Sequence, residues 1–139
     1  MVAEDSSRAD VRFRWRGDAS DAEVVALTDS EAGWWERVRP HSLGWVVARA
    51  AGSALVGFVN VAWDGGDHAF LLDTTVRPDH RRRGIGTELV RIAARHAAYA
   101  GCEWLEVDFA DHLAAFYLGA CGFRPTPAGL IRLRSDSGR

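Results

Sequence analysis

A single α/β domain, built on a mixed and mostly antiparallel sheet of six to seven strands flanked by helices, is the fold class that this sequence predicts. Three observations carry it. Apolar runs rich in Val and aromatic residues follow one another over residues 43–76 with only short turns between them, as in an antiparallel meander. A stretch at helical spacing over 87–100 then separates the meander from another β-patterned run, and a strand–helix–strand crossover implies a parallel pair. Finally, 139 residues that are 47% hydrophobic and 26% charged are one domain's worth of ordinary globular chain, enough for a core without disulfides or a structural metal.

The elements follow in order. Residues 1–10 are polar and acidic and are expected to form a flexible tail, with 135–139 expected to fray, so that one domain fills 1–139. Residues 11–16, VRFRWR, alternate apolar and basic side chains with the period of a half-buried strand. Between Asp18 and Arg39 the apolar positions Val24, Val25, Leu27, Trp34, Trp35 and Val38 are spaced for a broken or paired amphipathic helix that stops at Pro40. Residues 43–50 and 54–63 form a hairpin across a turn with Gly52 and Ser53, and DGGDH at 64–68 turns the chain into a third strand over 69–76. Beyond the helix, 102–109 reads as a strand and Asp111 to Ala120 as a short helix. A last strand is expected near 129–134, where Ile131 and Leu133 alternate with Arg132 and Arg134.

Composition excludes several classes of function. A net charge of −2 leaves no global positive excess for nucleic acid or an anionic membrane. There is no apolar run of membrane-spanning length and no leader pattern at the first residues, so a cytoplasmic protein is expected. Cys102 and Cys121 are neither a CxxC pair nor part of a His/Cys cluster, and read as core thiols in a reducing compartment, with no metal ligand set.

The chemistry is concentrated after the third meander strand, in VRPDHRRRGIGTELV. A helix start presents backbone N–H groups without intrahelical partners at the positive end of its dipole, which suits a phosphate or pyrophosphate. Gly84 and Gly86 remove side chains where a ligand must approach the backbone. The arginines could also make a nucleic-acid patch or a solvated turn, but neither explains two glycines at a helix start. A P-loop is excluded by the lack of G-K-[ST], and a dinucleotide fingerprint by the missing third glycine and acidic residue.

This stretch resembles the cofactor motif of the GNAT superfamily of N-acetyltransferases, V-x-P-x-x-R-x-x-G-x-G followed by a helix, and FYLGACGF resembles the family's second motif; together they span about residues 69–125. The resemblance implies a GNAT-like sheet whose parallel pair splays at the cofactor site, with acetyl-CoA as donor. Arg81, Gly84 and Gly86 fill the R-x-x-G-x-G positions. Backbone amides across Arg82, Arg83, Gly84, Ile85, Gly86 and Thr87 are then expected to hold the pyrophosphate, and the strand edge at Thr74 and Val76 to pair with the pantetheine arm. Asp111 falls at the family's Asn position.

Acyl transfer to an amine sets the remaining requirements. An amine with a pKa near 10.4 is mostly protonated at pH 7, a deficit of roughly 4 to 5 kcal/mol, so a base or water chain is expected. Asp73, in the apolar run LLDTTV, is expected to be buried, either with a structural partner or as a base with a raised pKa; Asp108 is the other candidate. His68 and His112 could relay a proton or be incidental, and His96 reads as a helix-face residue. Trp34, Trp35, Trp45 and Trp63 could line an acceptor pocket or fill the core. The thiolate leaving group calls for a hydroxyl donor, for which Tyr117 is the candidate beside its reading as a core tyrosine.

Tyr117 departs from the family pattern N-x-x-A-x-x-F-Y-x-x-x-G-F. Counting back from Gly122 and Phe123 puts Leu118 at the tyrosine position, one residue late. Tyr117 is nevertheless expected to face the sulfur, with Gly119 ending the helix early and Ala120 and Cys121 in a loosened turn. The expected activity is direct acetyl transfer from acetyl-CoA to an amine-bearing acceptor, without a metal, nucleic acid or membrane partner; the alternative is an acyl-CoA sensor or protein-partner module without turnover. An exposed edge strand makes a homodimer an open expectation.

Overall fold

The computed structural model describes residues 5–8 and 10–134. Six strands form one sheet in sequence order: β1 (Ser6–Arg8), β2 (Val11–Trp15), β3 (Ser42–Arg49), β4 (Leu55–Trp63), β5 (His68–Val76) and β6 (Trp104–Val107). The first five pair antiparallel, and β5 and β6 pair in parallel. Helices α1 (Asp21–Thr28) and α2 (Trp34–Val38) connect β2 to β3, and α3 (Ile85–Tyr99) makes the crossover from β5 to β6. The mixed sheet, its meander and its parallel pair are therefore as the residue pattern predicts.

Each face of the sheet buries a separate cluster. Val11 and Phe13 of β2, Val59 and Val61 of β4, and Ala69 and Leu71 of β5 pack with Ile85, Leu89, Ile92 and Ala93 of α3. The i, i+4, i+7, i+8 spacing of those four α3 residues puts them on one stripe, so the helix lies along the sheet. Val47, Leu55 and Phe58 pack on the opposite face with Val24 of α1 and Trp35 of α2. β4, buried along most of its length between the two layers, reads as a continuous apolar run.

The segment between β2 and β3 breaks into two helices because its caps demand it. Ser20 and Glu23 form a reciprocal capping box, with Glu23 N–H donating to Ser20 Oγ at 3.1 Å and Ser20 N–H to Glu23 Oε1 at 3.0 Å. The carboxylate of Asp21 accepts from Gly33 N at 2.7 Å and Trp35 N at 2.9 Å, which fixes α2 against α1.

Four sequence expectations need correction. Ser6–Arg8 lies within the expected tail yet forms β1, because three residues are too few to display a period; residues 1–4, 9 and 135–139 lie outside the described residues. No strand forms near 129–134: residues 122–133 carry no regular structure, and Leu130, Ile131 and Leu133 are 85%, 83% and 91% exposed. The alternation is present, but no strand among the described residues receives it. The strand expected over 102–109 shortens to β6. The helix expected from Asp111 to Ala120 is a 3-10 turn at Asp111–Leu113 followed by a π-helical turn at Ala115–Ala120, so Gly119 does not end it and Ala120 stays within it.

Candidate functional site

β5 and β6 stay paired only from His68↔Trp104 to Leu71↔Val107. Beyond that point β5 runs on to Val76 with the edge facing β6 open, and the chain after Val107 leaves with Asp108. A β-bulge sits where the pairing stops: one residue of β4, Val59, faces two of β5, Asp73 and Thr74, between the pairs Asn60↔Leu72 and Phe58↔Thr75. Asp73 takes the left-handed conformation, φ 61°, that this bulge needs and that Asp tolerates better than most residues.

The bulge corrects the expected burial of Asp73. The residue as a whole is exposed, although protein atoms crowd its carboxyl closely enough that desolvation raises its pKa, and among the described residues the carboxylate has no hydrogen-bonding or charged partner. Thr74 carries a buried Oγ1 without a hydrogen-bond partner among the described residues. Asp108 and Asp111 are exposed.

The chain leaving β5 turns through Pro78–His80, where the Arg77 guanidinium grips Asp79 through two hydrogen bonds of 2.7 and 3.0 Å and His80 Nδ1 lies 2.9 Å from the same carboxylate. Arg81 follows and donates from Nε to the Val76 carbonyl at 3.1 Å, tying the loop to the end of β5. Arg82 and Gly84 both take positive φ, 64° and 77°, which folds the loop over the start of α3. No side chain caps that helix, and the amides of Ile85, Gly86 and Thr87 make no hydrogen bond among the described residues. Arg81, Arg82 and Arg83 are exposed around them.

Gly86 marks where three segments meet. A methyl group there would lie 3.2 Å from the Phe116 ring and 3.7 Å from Val76 Cγ2, so the α3 start, the end of β5 and the π-helical turn border one groove. Next along that turn is Tyr117, 7% exposed, with its ring centroid 4.9 Å from Phe109, 4.8 Å from Phe116 and 6.0 Å from Phe123. Its hydroxyl makes no hydrogen bond among the described residues and is not fully buried, so the oxygen reaches the surface of that aromatic cluster.

The profile of the acetyltransferase (GNAT) family matches residues 9–123. The chain belongs to that family. Its fold is similar to that of a putative acetyltransferase from Deinococcus radiodurans, with a TM-score of 0.74 at 22% identity over 94% of each chain. It is also similar to a Trypanosoma brucei acetyltransferase, at 0.75 and 19% over 91% of this chain and 100% of that one. An aminoglycoside N-acetyltransferase in complex with CoA gives 0.70 at 20% identity over 91% of this chain and 95% of that one. No curated protein sequence matches the chain. At these identities the structural likeness establishes the GNAT fold.

Several residues that hold this loop carried no signal in the sequence. Arg8, in the short β1, donates from Nε to the Arg83 carbonyl at 3.2 Å and lies against Gly84, where a methyl group would come within 2.4 Å of that nitrogen. Ser6, in the same strand, hydrogen-bonds to Glu88, whose carboxylate also holds Arg91 at 2.6 and 2.8 Å. β1 therefore clamps the loop before α3 from the N-terminal side.

The other candidates fall outside the groove. His68 pairs with Glu106 at 2.9 Å, which raises its pKa, and His96 lies on α3 between Trp15 and Asp5, stacked on the former at 4.6 Å and 2.8 Å from the latter. His112 is exposed. Trp35 is core, with edge-on contacts to Trp45 and Phe58 at 5.3 and 5.0 Å, and Trp45 donates to the Gly17 carbonyl at 2.8 Å. Among the described residues no group of side chains could hold a metal ion, and no helix is long and apolar enough to cross a membrane.

Proposed function

We propose that the protein is an acetyl-CoA-dependent N-acetyltransferase that moves the acetyl group directly to an amine. The observation that carries the proposal is the uncapped start of α3, with three unpartnered amides at Ile85, Gly86 and Thr87, beside the open edge of β5. Such amides attract a pyrophosphate through directed N–H groups and the helix dipole together. The loop fits that ligand: Gly84 holds a left-handed turn and Gly86 leaves the groove wall without a side chain. Thr74 and Val76 are placed to pair with an extended amide chain as an added strand would. The exposed guanidinium groups of Arg81, Arg82 and Arg83 supply positive charge, and Asp111 is assigned to the cofactor's side of the groove.

When bound, acetyl-CoA supplies the thioester and thus the acyl group. The protein's part is to orient it, take a proton from the incoming amine and return one to the departing sulfur. Asp73 is the proposed base, since desolvation of its carboxylate favours proton uptake. Asp108, beyond the last paired residue of β6, is the alternative. Tyr117 is the proposed acid. Its π-helical turn spends one more residue than an α-turn, with Cys121 N–H donating to the Phe116 carbonyl at 2.9 Å, and this offsets the one-residue displacement of Tyr117 from the family pattern. A cytoplasmic setting belongs to the same proposal, supported by Cys102 and Cys121 being free thiols.

Free thiol release from acetyl-CoA in the presence of a panel of amines tests this reading. Release that depends on one class of amine is expected. Saturable binding of acetyl-CoA without release across proteins, polyamines, amino acids and aminoglycosides would instead identify an acyl-CoA sensor.

A further inference from the structure

On the face of the sheet away from α3, an apolar strip on β5 runs up to the bulge at Asp73. Ala69 and Leu71 belong to the α3-side core, so Phe70 and Leu72, which alternate with them, point the other way. On β6, Leu105 and Val107 pack against that same core, which puts Trp104 and Glu106 on the face of Phe70, with Glu106 directly beside it in the parallel register. α1 and α2 pack on this face over Val47, Leu55 and Phe58 of β3 and β4. Phe70, Leu72 and Trp104 remain 37%, 42% and 46% exposed. A single exposed apolar side chain needs no explanation, but several on one face beside a candidate active site mark a surface for an apolar ligand.

Charge distinguishes the two ends of the strip. At one end Leu72 leads into Asp73, and Asp108 follows Val107, the last paired residue of β6. Neither carboxylate has an ion-pair partner among the described residues. At the other end the charges are already matched: Glu106 holds His68 at 2.9 Å, and Arg124 lies over the Trp104 ring, 5.8 Å from its centroid. The exposed arginines Arg81, Arg82 and Arg83 lie beyond Val76, at the start of α3. The strip therefore offers free negative charge where the β5–β6 pair opens and apolar surface behind it.

Resting on the acetyl transfer proposed above, we infer that the acceptor is a primary amine on an aryl or alkyl body without a carboxylate or phosphate, its body on Phe70 and Leu72 and its nitrogen at Asp73. Phe70 and Leu72 are two residues apart, about 7 Å along the strand, which suits a ring joined to its amine by a short alkyl chain. Asp73 and Asp108 attract the ammonium form, and once neutral the amine forms the C–N bond as the C–S bond breaks. It gives one proton to Asp73 while the sulfur takes one from Tyr117. A carboxylate next to the nitrogen would stand against both aspartates. A polyamine would meet the charge but leave the apolar strip uncovered.

The test compares thiol release with phenethylamine, L-phenylalanine and spermidine. L-Phenylalanine has the body of phenethylamine with a carboxylate added, and spermidine has the charge without the ring. kcat/KM for phenethylamine is expected to exceed that of each of the others by about 10- to 100-fold. Phe70→Ser, at an exposed position, should raise the KM for phenethylamine about 10-fold with acetyl-CoA affinity and melting temperature unchanged. Independently of turnover, phenethylamine added to the CoA-bound protein should shift the backbone amides of Phe70 and Leu72. Release that is as fast with L-phenylalanine or spermidine, or a parental KM in Phe70→Ser, would overturn this acceptor class and leave the transfer itself standing. No release with any amine would overturn both.

Discussion

Replacing Gly86 with Glu perturbs the proposed pyrophosphate site at the point where three segments meet. The new Cβ would sit 3.2 Å from the Phe116 ring and 3.7 Å from Val76, so the side chain enters the groove and the ring must give by a few tenths of an ångström. A carboxylate about 5 Å from a pyrophosphate opposes each of its charges by roughly 3 kcal/mol at an effective dielectric constant of about 20. With two charges, the loss is on the order of 3 to 6 kcal/mol, a weakening of about 10² to 10⁴ in acetyl-CoA affinity. Stability moves little, because a glycine is removed from a helix and an acid is added to its first turn, two favourable changes that offset the tight ring contact. Calorimetric titration reads the affinity and a melting curve confirms the fold. Gly86→Ala, which keeps the ring contact without the charge, should weaken binding far less. A folded Gly86→Glu protein with unchanged affinity would refute the site.

Asp73→Asn should lower kcat by about 10² to 10⁴ and remove the acidic limb of the pH–rate profile. Because desolvation raises its folded pKa, the stability that Asp73 contributes is present below its unfolded pKa and lost as pH rises through the folded value, so the Asn variant should melt no lower than the parent at pH 7; full activity would transfer the role to Asp108 or water. Tyr117→Phe keeps the packing against Phe109 and Phe123, and kcat should fall about 10²-fold with acetyl-CoA affinity within a few-fold; an unchanged kcat between pH 7 and 9 would leave the proton to water. Glu88, held well below its ordinary 4.5 at about 2 chiefly by Arg91, contributes stability that is present above pH 4.5 and lost as pH falls towards 2. That contribution is about 2 kcal/mol once screening at the exposed Arg91 is allowed for, and Glu88→Gln should flatten an acid-denaturation curve over that window.

The sheet order and the turn into α3 were legible because each rests on local rules. Alternation marks β2, continuous apolar runs mark β3 and β4, and Gly84 and Gly86 flag a backbone that a ligand must approach. What was not legible depends on partners distant in sequence. β1 holds its place through Ser6 and Arg8, which meet Glu88 and Arg83 some 80 residues away, and a three-residue strand has no period to read. The apolar setting of Asp73 suggested burial, but the bulge adds a residue and breaks the alternation after Leu72, which leaves the residue exposed with only its carboxyl crowded. At 129–134 the alternation of Ile131 and Leu133 with Arg132 and Arg134 suggested a strand, yet these residues carry no regular structure, because a pattern states only that one face needs cover and not that a neighbouring strand supplies it. The π-helical turn at Ala115–Ala120 resolves the count between Tyr117 and Phe123 within the helix, where Gly119 had suggested an early stop.

The central claim is that the start of α3 holds the cofactor's pyrophosphate. Amide chemical shifts of the isotope-labelled protein during titration with acetyl-CoA test it most directly. The account predicts the largest changes at Arg82 to Thr87, with smaller ones at Thr74 and Val76 and little at β2 or α1. Saturation by acetyl-CoA with the amides of Ile85, Gly86 and Thr87 unmoved would contradict it.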